Sequence, residues 1–314
     1  YFEDNSPVSP EFKKKEVKGV TAKVIITAQL GGESHPTTPI GINLPNANWI
    51  RKEHGSKSVT MDNITYAYDQ AAQGNGFLEE FAASQEEIDR VKKFGYLAGN
   101  LHTDLHECLG HGSGQLKPGI SGEALKNYHS AIEETRADLF ALYYMMDPIM
   151  IKLGLVENEE VAKSEYDNYI RNGIMTQLVR IKPGKNIEQA HMRNRAIISR
   201  WIYEKGKEKN VIEKISRDGK TYFKINDYQA VRQLAGELLK EVQRITSEGD
   251  LKAAKALVEN YGVKVDPEFH AEVLKRYQKL NIAPYAGFIN PVYQLVMKSD
   301  TIANVIVKYP EVFS

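Results

Sequence analysis

His106 and His111 bracket Glu107 in the run His106-Glu107-Cys108-Leu109-Gly110-His111, and a second acidic run, Glu133-Glu134-Thr135-Arg136-Ala137-Asp138, follows it. Two imidazoles and a carboxylate are the inventory of a catalytic zinc site. They fill three tetrahedral positions at roughly 2.0–2.2 Å and leave the fourth to water. The metal lowers the pKa of that water to about 7, and a carboxylate that is not itself a ligand can take its proton. Glu107, next to a histidine but not an obvious ligand, suits that second task. The bland alternatives are ordinary helix histidines and a solvated charge pair in a first helical turn. Against them stands the combination: two histidines around one glutamate, with paired carboxylates downstream.

The spacing is unusual. Zinc peptidases of the H-E-x-x-H type place their histidines at i and i+4 on one helix face. Here the pair is at i and i+5, which a regular α-helix would turn roughly 140° apart. A single π-type turn, with its i to i+5 hydrogen bond, realigns them, and such bulges concentrate at functional sites. Gly110 lies directly before the second histidine, where a tolerant residue eases the distortion. Gly112 and Gly114 then end the helix.

The extra residue, the G-S-G at 112–114 and the E-E-T-R-A-D run together resemble the dipeptidyl peptidase III family, zinc exopeptidases that remove dipeptides from the N-termini of short peptides. Two more segments agree in order: Gly41-Ile42-Asn43-Leu44-Pro45-Asn46 resembles that family's peptide-binding strand, and His191-Met192-Arg193-Asn194-Arg195 its helical His/Arg pair. The resemblance runs from about Pro39 to Tyr285. It implies one zinc ion per chain, held by His106, His111 and Glu134, with Glu107 as general base. It implies that Glu133 and Asp138 hold the ligand imidazoles by their free N–H groups. It implies that His191 and Arg195 contact the substrate and stabilise the tetrahedral intermediate, and that Asn43 and Asn46 bind the substrate's backbone and amino-terminal region, the strand around Ile42 pairing to the peptide by β-addition. Taken alone, His191 with Arg195 reads as a surface pair, and Asn43 and Asn46 around Pro45 as turn residues. His102, one turn before His106, reads as a helix-surface residue or one supporting the ligands. Cys108 reads as packing behind the site.

Composition agrees with a soluble enzyme and excludes several alternatives. Lys+Arg and Asp+Glu both number 41, so no net field draws the chain to nucleic acid or membrane. No apolar run approaches the ~20 residues of a membrane span, and the single cysteine has no disulfide partner. That usage favours the cytoplasm; a leader preceding Tyr1 would leave the cell envelope or secretion open.

The elements that position these residues read as mainly α with minor strand, an α+β chain. Val20–Leu30 reads as a strand. Ser84 with Glu87 opens the helix carrying the zinc motif, and Ile88, Val91, Phe94, Ala98, Leu101, Leu105 and Leu109 give it an apolar stripe. Further helices are expected over residues 124–146, 159–180, 187–207, 228–246, 251–260 and 267–280. Val211–Ile225 reads as a hairpin around Asp218-Gly219, and Ile302–Tyr309 as a strand. The expected organisation is a β-rich segment at 1–58 belonging to a substrate-binding lobe, a helical zinc lobe at 59–285, and a segment at 286–314 whose strand returns to the β-rich lobe. Because the family's members are longer, the chain reads as the C-terminal, zinc-bearing part of a larger protein whose N-terminal remainder completes the cleft.

Overall fold

The computed structural model describes residues 1–17, 21–28, 38–44, 50, 54–55, 57–282 and 290–310. Three short strands, β1 (Thr21–Ile25), β2 (Gly41–Leu44) and β3 (Lys57–Met61), form a sheet in the order β1–β3–β2. β1 runs parallel to β3, and β2 antiparallel to it with Gly41 opposite Thr60 and Leu44 opposite Lys57. Side chains alternate across a strand, and the face carrying Ser58 and Thr60 is buried. There Ser58 Oγ donates to the Glu107 carbonyl (3.0 Å) and Thr60 Oγ1 to Asp104 Oδ1 (2.9 Å), so two hydroxyls fasten the sheet to the helix below.

Helices follow: α1 (Asp62–Ala72), α2 (Phe77–Phe81) and α3 (Gln85–Asp104). Ser84 caps α3 by accepting the Glu87 N–H (3.2 Å), and the Glu87 carboxylate reaches back to the Ala83 N–H (2.8 Å). This is the expected capping pair, shifted by one residue on its return arm. Next come α4 (His129–Met145), α5 (Pro148–Lys152), α6 (Glu160–Ile174), α7 (Ala190–Lys205), α8 (Tyr228–Glu248), α9 (Leu251–Leu257) and α10 (Pro267–Gln278). Asp147, Asp227, Asp250 and Asp266 accept a backbone N–H at the starts of α5, α8, α9 and α10, each satisfying a donor the helix leaves over.

The core centres on α4, which is buried along most of its length: Ile132, Ala137, Leu139, Ala141 and Tyr144 are completely excluded from solvent. Such a helix must be surrounded, and α6, α7 and α8 pack against it. A smaller cluster, including Phe81, Met175, Leu178, Ile187 and Val273, lies under α10.

The mainly helical reading holds, with differences at the ends of elements. The helix expected from 124 begins at His129, because Lys126–Tyr128 form a 3-10 turn and Lys126 has φ +49°. The helix expected to reach 180 stops at Ile174: Met175 leaves helical geometry (φ −126°, ψ −65°), and a 3-10 turn follows over Thr176–Arg180. The hairpin of β4 (Ile212–Arg217) and β5 (Lys220–Ile225) turns at Asp218-Gly219 as expected. At the C-terminus β6 (Val292–Lys298) and β7 (Thr301–Lys308) make a second hairpin. Among the described residues β7 pairs with β6 across a tight turn at Ser299-Asp300, where Ser299 has φ +54°. No helix among the described residues is long and apolar enough to cross a membrane.

Candidate metal centre

α3 does not end at Asp104 but runs into a π-helical turn, Leu105–Gly110, and the His111 N–H reaches the His106 carbonyl across five residues (3.1 Å). This is the realignment the spacing required. The two rings stand edge to face with centroids 4.7 Å apart. Gly110 has an ordinary φ; its smallness serves packing instead. A Cβ there would lie 2.8 Å from the Cα and carbonyl oxygen of Ala137, so glycine lets the π turn touch the α4 backbone.

α4 presents Glu133, Glu134 and Asp138 to this turn. Asp138 Oδ1 meets His106 Nδ1 at 2.5 Å, and Glu133 Oε1 meets His111 Nδ1 at 2.8 Å. A carboxylate can only accept, so each Nδ1 carries its hydrogen and each Nε2 is directed to the opposite side of its ring. Asp138 Oδ1 also meets His102 Nε2 (3.0 Å), and its other oxygen accepts from Tyr169 Oη and Asn194 Nδ2 (2.6 Å each). His102 Nδ1 lies 3.0 Å from Glu165 Oε1. Arg136 grips Glu133 through both carboxylate oxygens (2.7 and 3.1 Å) and donates to the Gly110 carbonyl (2.9 Å) and to Ser113.

Charge follows from this burial. Burial alone would weaken proton binding by His106, but the Asp138 carboxylate overcomes it and carries its pKa up to about 10. His102, opposed by burial and then held between Glu165 and Asp138, is raised to about 9. Burial resists ionisation of Glu133 and Asp138, yet Arg136 with His111, and His106 with His102, hold them well below the usual carboxylate range. Glu134 is lowered too, its own burial outweighed by the surrounding histidines.

His106, His111 and Glu134 each bring one ligand atom within 4.8 Å of the others. Glu134 Oε2 lies 3.2 Å from His106 Nε2, 3.9 Å from His111 Nε2 and 3.4 Å from His191 Nδ1. It nevertheless accepts no hydrogen bond among the described residues, although it is buried. A buried carboxylate oxygen without a donor is costly, and a cation is what such an atom lacks. Ligand atoms about 2.1 Å from a tetrahedral zinc lie roughly 3.4 Å from one another, and the 3.2 and 3.9 Å from Glu134 Oε2 to the two histidine nitrogens bracket that spacing.

A cleft of about 330 Å³ opens over these atoms, lined by Gly41, Ile42 and Leu44 of β2, by Glu107, and by His129, Ser130 and His191. Among the described residues β2 has a ladder on one side only, so its free edge is available beside the cleft. Gly41 lies against Glu107, whose Oε1 would be 3.2 Å from a Cβ there. The sequence-derived residues are therefore not all in one place. His106, Glu107, His111, Glu133, Glu134 and His191 line the cleft, whereas Asp138 lies behind the first histidine. Arg195, one turn beyond His191 and half-buried, is not among the lining residues; its charge bears on Tyr169 and Arg180. Asn43 lies in β2 opposite Ser58, and Asn46 falls outside the described residues. Cys108 is half-buried, and burial pushes its thiol pKa up. Sequence reasoning gave no role to His129 or to the side chain of Asn194, although both lie on the motif helices α4 and α7, and missed Glu165 and Tyr169, which come from α6, a helix with no recognisable spacing to the motif.

A model of peptidase family M49 matches residues 33–119 and 119–289. Dipeptidyl peptidase 3 of Mus musculus is 27% identical over 323 residues, covering 88% of this chain and 43% of the mouse protein. DPP III from Caldithrix abyssi superposes with a TM-score of 0.68 at 24% identity, over 90% of this chain and 51% of that one. Dipeptidyl-peptidase III from Corallococcus sp. strain EGB gives 0.71 at 22%, over 90% and 49%. These two likenesses show the fold. The chain spans less than half the length of the mouse relative and about half of each solved one.

Proposed function

The chain belongs to peptidase family M49, the dipeptidyl peptidase III family its motifs resemble, and on that premise we propose that it is the metal-bearing catalytic part of a zinc-dependent dipeptidyl peptidase. The observation that carries this reading is the donorless Glu134 Oε2 facing two histidines whose outer nitrogens are already held by carboxylates. A structural zinc site would close its fourth position with another His or Cys; here that side is the open cleft.

In this reading His106, His111 and Glu134 hold the ion, and Glu133 and Asp138 fix the two rings. Zinc held there would supply Lewis acidity for water activation and for polarising the scissile carbonyl. Glu107 takes the proton of the attacking water and hands it to the departing amine. His191, with Arg195 one turn further along α7, stabilises the carbonyl oxygen as it becomes an oxyanion. A short peptide lies extended along the free edge of β2, its backbone met by Asn43 and Asn46. The supporting geometry is that edge, the cleft beside it and the placing of Glu107 on its wall.

Length favours a second reading for the chain by itself. Relatives are about twice as long, and residues beyond this chain would then complete substrate binding, leaving a zinc-binding chain without turnover. One experiment separates these readings: mass spectrometry of a free-amino pentapeptide after incubation with the zinc-loaded chain. Released dipeptide, absent with Glu107→Gln that still binds zinc, is the expected result. Single amino acids would identify an aminopeptidase and internal fragments an endopeptidase. No product with zinc bound would favour the second reading, and loss of zinc in Glu107→Gln would overturn the base assignment.

A further inference from the structure

His111 is followed at once by Gly112-Ser113-Gly114, a stretch whose two glycines leave the backbone behind a ligand with unusual freedom. A site loose by about 1 Å loses its function, so something must fix this turn. Gly114 has φ +67° and packs so closely on Gln243 that a Cβ would lie 2.3 Å from its Oε1. Ser247, one turn further along α8, donates to the Gln115 carbonyl (2.7 Å). Arg136 holds Ser113 from the α4 side.

The remaining side is closed by the start of the chain. The Gly114 N–H is directed between both carboxylate oxygens of Glu3 (3.1 and 3.2 Å), 111 residues away in sequence. Glu3 Oε1 also accepts the Lys14 N–H (2.5 Å), and Lys14 Nζ returns to donate to the Gly112 carbonyl (3.0 Å). Phe12, buried, offers its carbonyl to the Gln115 N–H (2.9 Å). The segment is well anchored. Phe2 packs edge-on against Tyr144 at 4.8 Å, Tyr144 Oη donates to the Phe2 carbonyl, and Ser6 Oγ closes the local turn onto the Glu3 carbonyl (2.9 Å). Glu3 itself is only 8% exposed, an unusual place for a carboxylate unless its acceptors are needed.

We infer that Glu3, with Lys14, is a positioning residue of the metal centre: the first residues of the chain form a strap that immobilises the glycine turn and thereby sets the direction of His111. The inference rests on the reading of His111 as a ligand. Glu3 is not among the residues lining the cleft and acts through the backbone of Gly114 and, by way of Lys14, through that of Gly112.

The test is zinc affinity, measured by competition with a chromophoric chelator in the full chain, together with the visible spectrum of the cobalt-substituted protein. Glu3→Ala is expected to bind zinc about tenfold more weakly, the lower end of what outer partners of a metal site contribute. Its cobalt band should shift, and Glu3→Gln, which keeps an acceptor for Gly114, should recover most of the affinity. If Glu3→Ala lowers the melting temperature equally with and without zinc, leaving affinity and spectrum unchanged, the segment is structural only and the inference is overturned. A failure of the parent chain, or equal zinc binding by His111→Ala, would instead overturn the assignment of the ligands.

Discussion

Asp138 offers two carboxylate oxygens to four donors: His106 and His102 on one, Tyr169 and Asn194 on the other. An amide in its place keeps one acceptor and turns a donor toward groups that are themselves donors. Asp138→Asn is therefore expected to weaken zinc binding about 10–100-fold, read by chelator competition; unchanged affinity would mean that the His106 ring is oriented by packing alone. His191 provides the contrast. Its side chain is 63% exposed and reaches Glu134 only at 3.4 Å. His191→Ala should leave zinc affinity within about threefold while kcat falls roughly 10²–10³-fold, as for loss of an oxyanion partner. A variant that lost metal and kept turnover per bound zinc would reverse that assignment. At this scale the sequence displays what lies within one motif. The residues His106, Glu107 and His111 announce themselves by type and spacing, and Glu134 by the resemblance its run carries, whereas Tyr169 and Asn194 reach Asp138 from helices whose approach no spacing encodes.

The π turn after α3 works only because α4 passes close behind it. Gly110→Ala would set a methyl group 2.8 Å from the Ala137 backbone, and helix backbones cannot yield as a flexible side chain can. The expected cost is about 1–3 kcal/mol in unfolding free energy, with weaker zinc binding as the turn moves from α4; denaturant unfolding without metal measures the first. The five-residue spacing made this turn legible in the sequence, but the reason for its glycine was not, since it lies on another helix. A second junction ties α3, α6 and α8. Arg90 donates to Asp167 Oδ2 (2.5 Å), and Tyr228 Oη to Oδ1 (2.8 Å). Burial, with the Glu87 charge, outweighs Tyr228 and Arg90 and pushes the Asp167 pKa up to about 6. The folded chain thus holds this proton more tightly than the unfolded chain, whose carboxyl titrates near 3.9. Its contribution to stability is full below about pH 3.9 and is lost as pH rises through 6. The stability advantage of the parent over Asp167→Asn should therefore shrink by about 2 kcal/mol between pH 4.5 and 7.5. A flat difference would show that Arg90 keeps the carboxylate charged throughout.

Across the whole molecule, the helical majority was readable from apolar stripes and caps, and so were the β4–β5 hairpin and the strand at β7, whereas β3 and β6 were not. β3 is five residues of mixed polarity and β6 is exposed along its whole length, so neither shows the alternation of a half-buried strand. What the sequence could not express is how many elements meet at one point. The three ligand candidates come from the π turn and α4, while Tyr169 and Asn194 bring α6 and α7 onto Asp138. A cation held there would join the π turn to α4, and the unfolded chain has no such arrangement to offer it. Binding to the native state alone stabilises by about 4.1 kcal/mol when free ligand reaches 1,000 times Kd. With roughly 2–4 °C per kcal/mol for a domain somewhat smaller than this one, the melting temperature should rise on the order of 10 °C. With 41 basic and 41 acidic residues the chain carries no net charge for a bulk cation to screen, so magnesium at the same concentration should move the transition little. A zinc-dependent rise that a chelator reverses, and that Glu134→Ala abolishes, is the expected pattern. Equal shifts with magnesium, or none with saturating zinc, would mean that the buried carboxylate oxygen of Glu134 is satisfied in some other way.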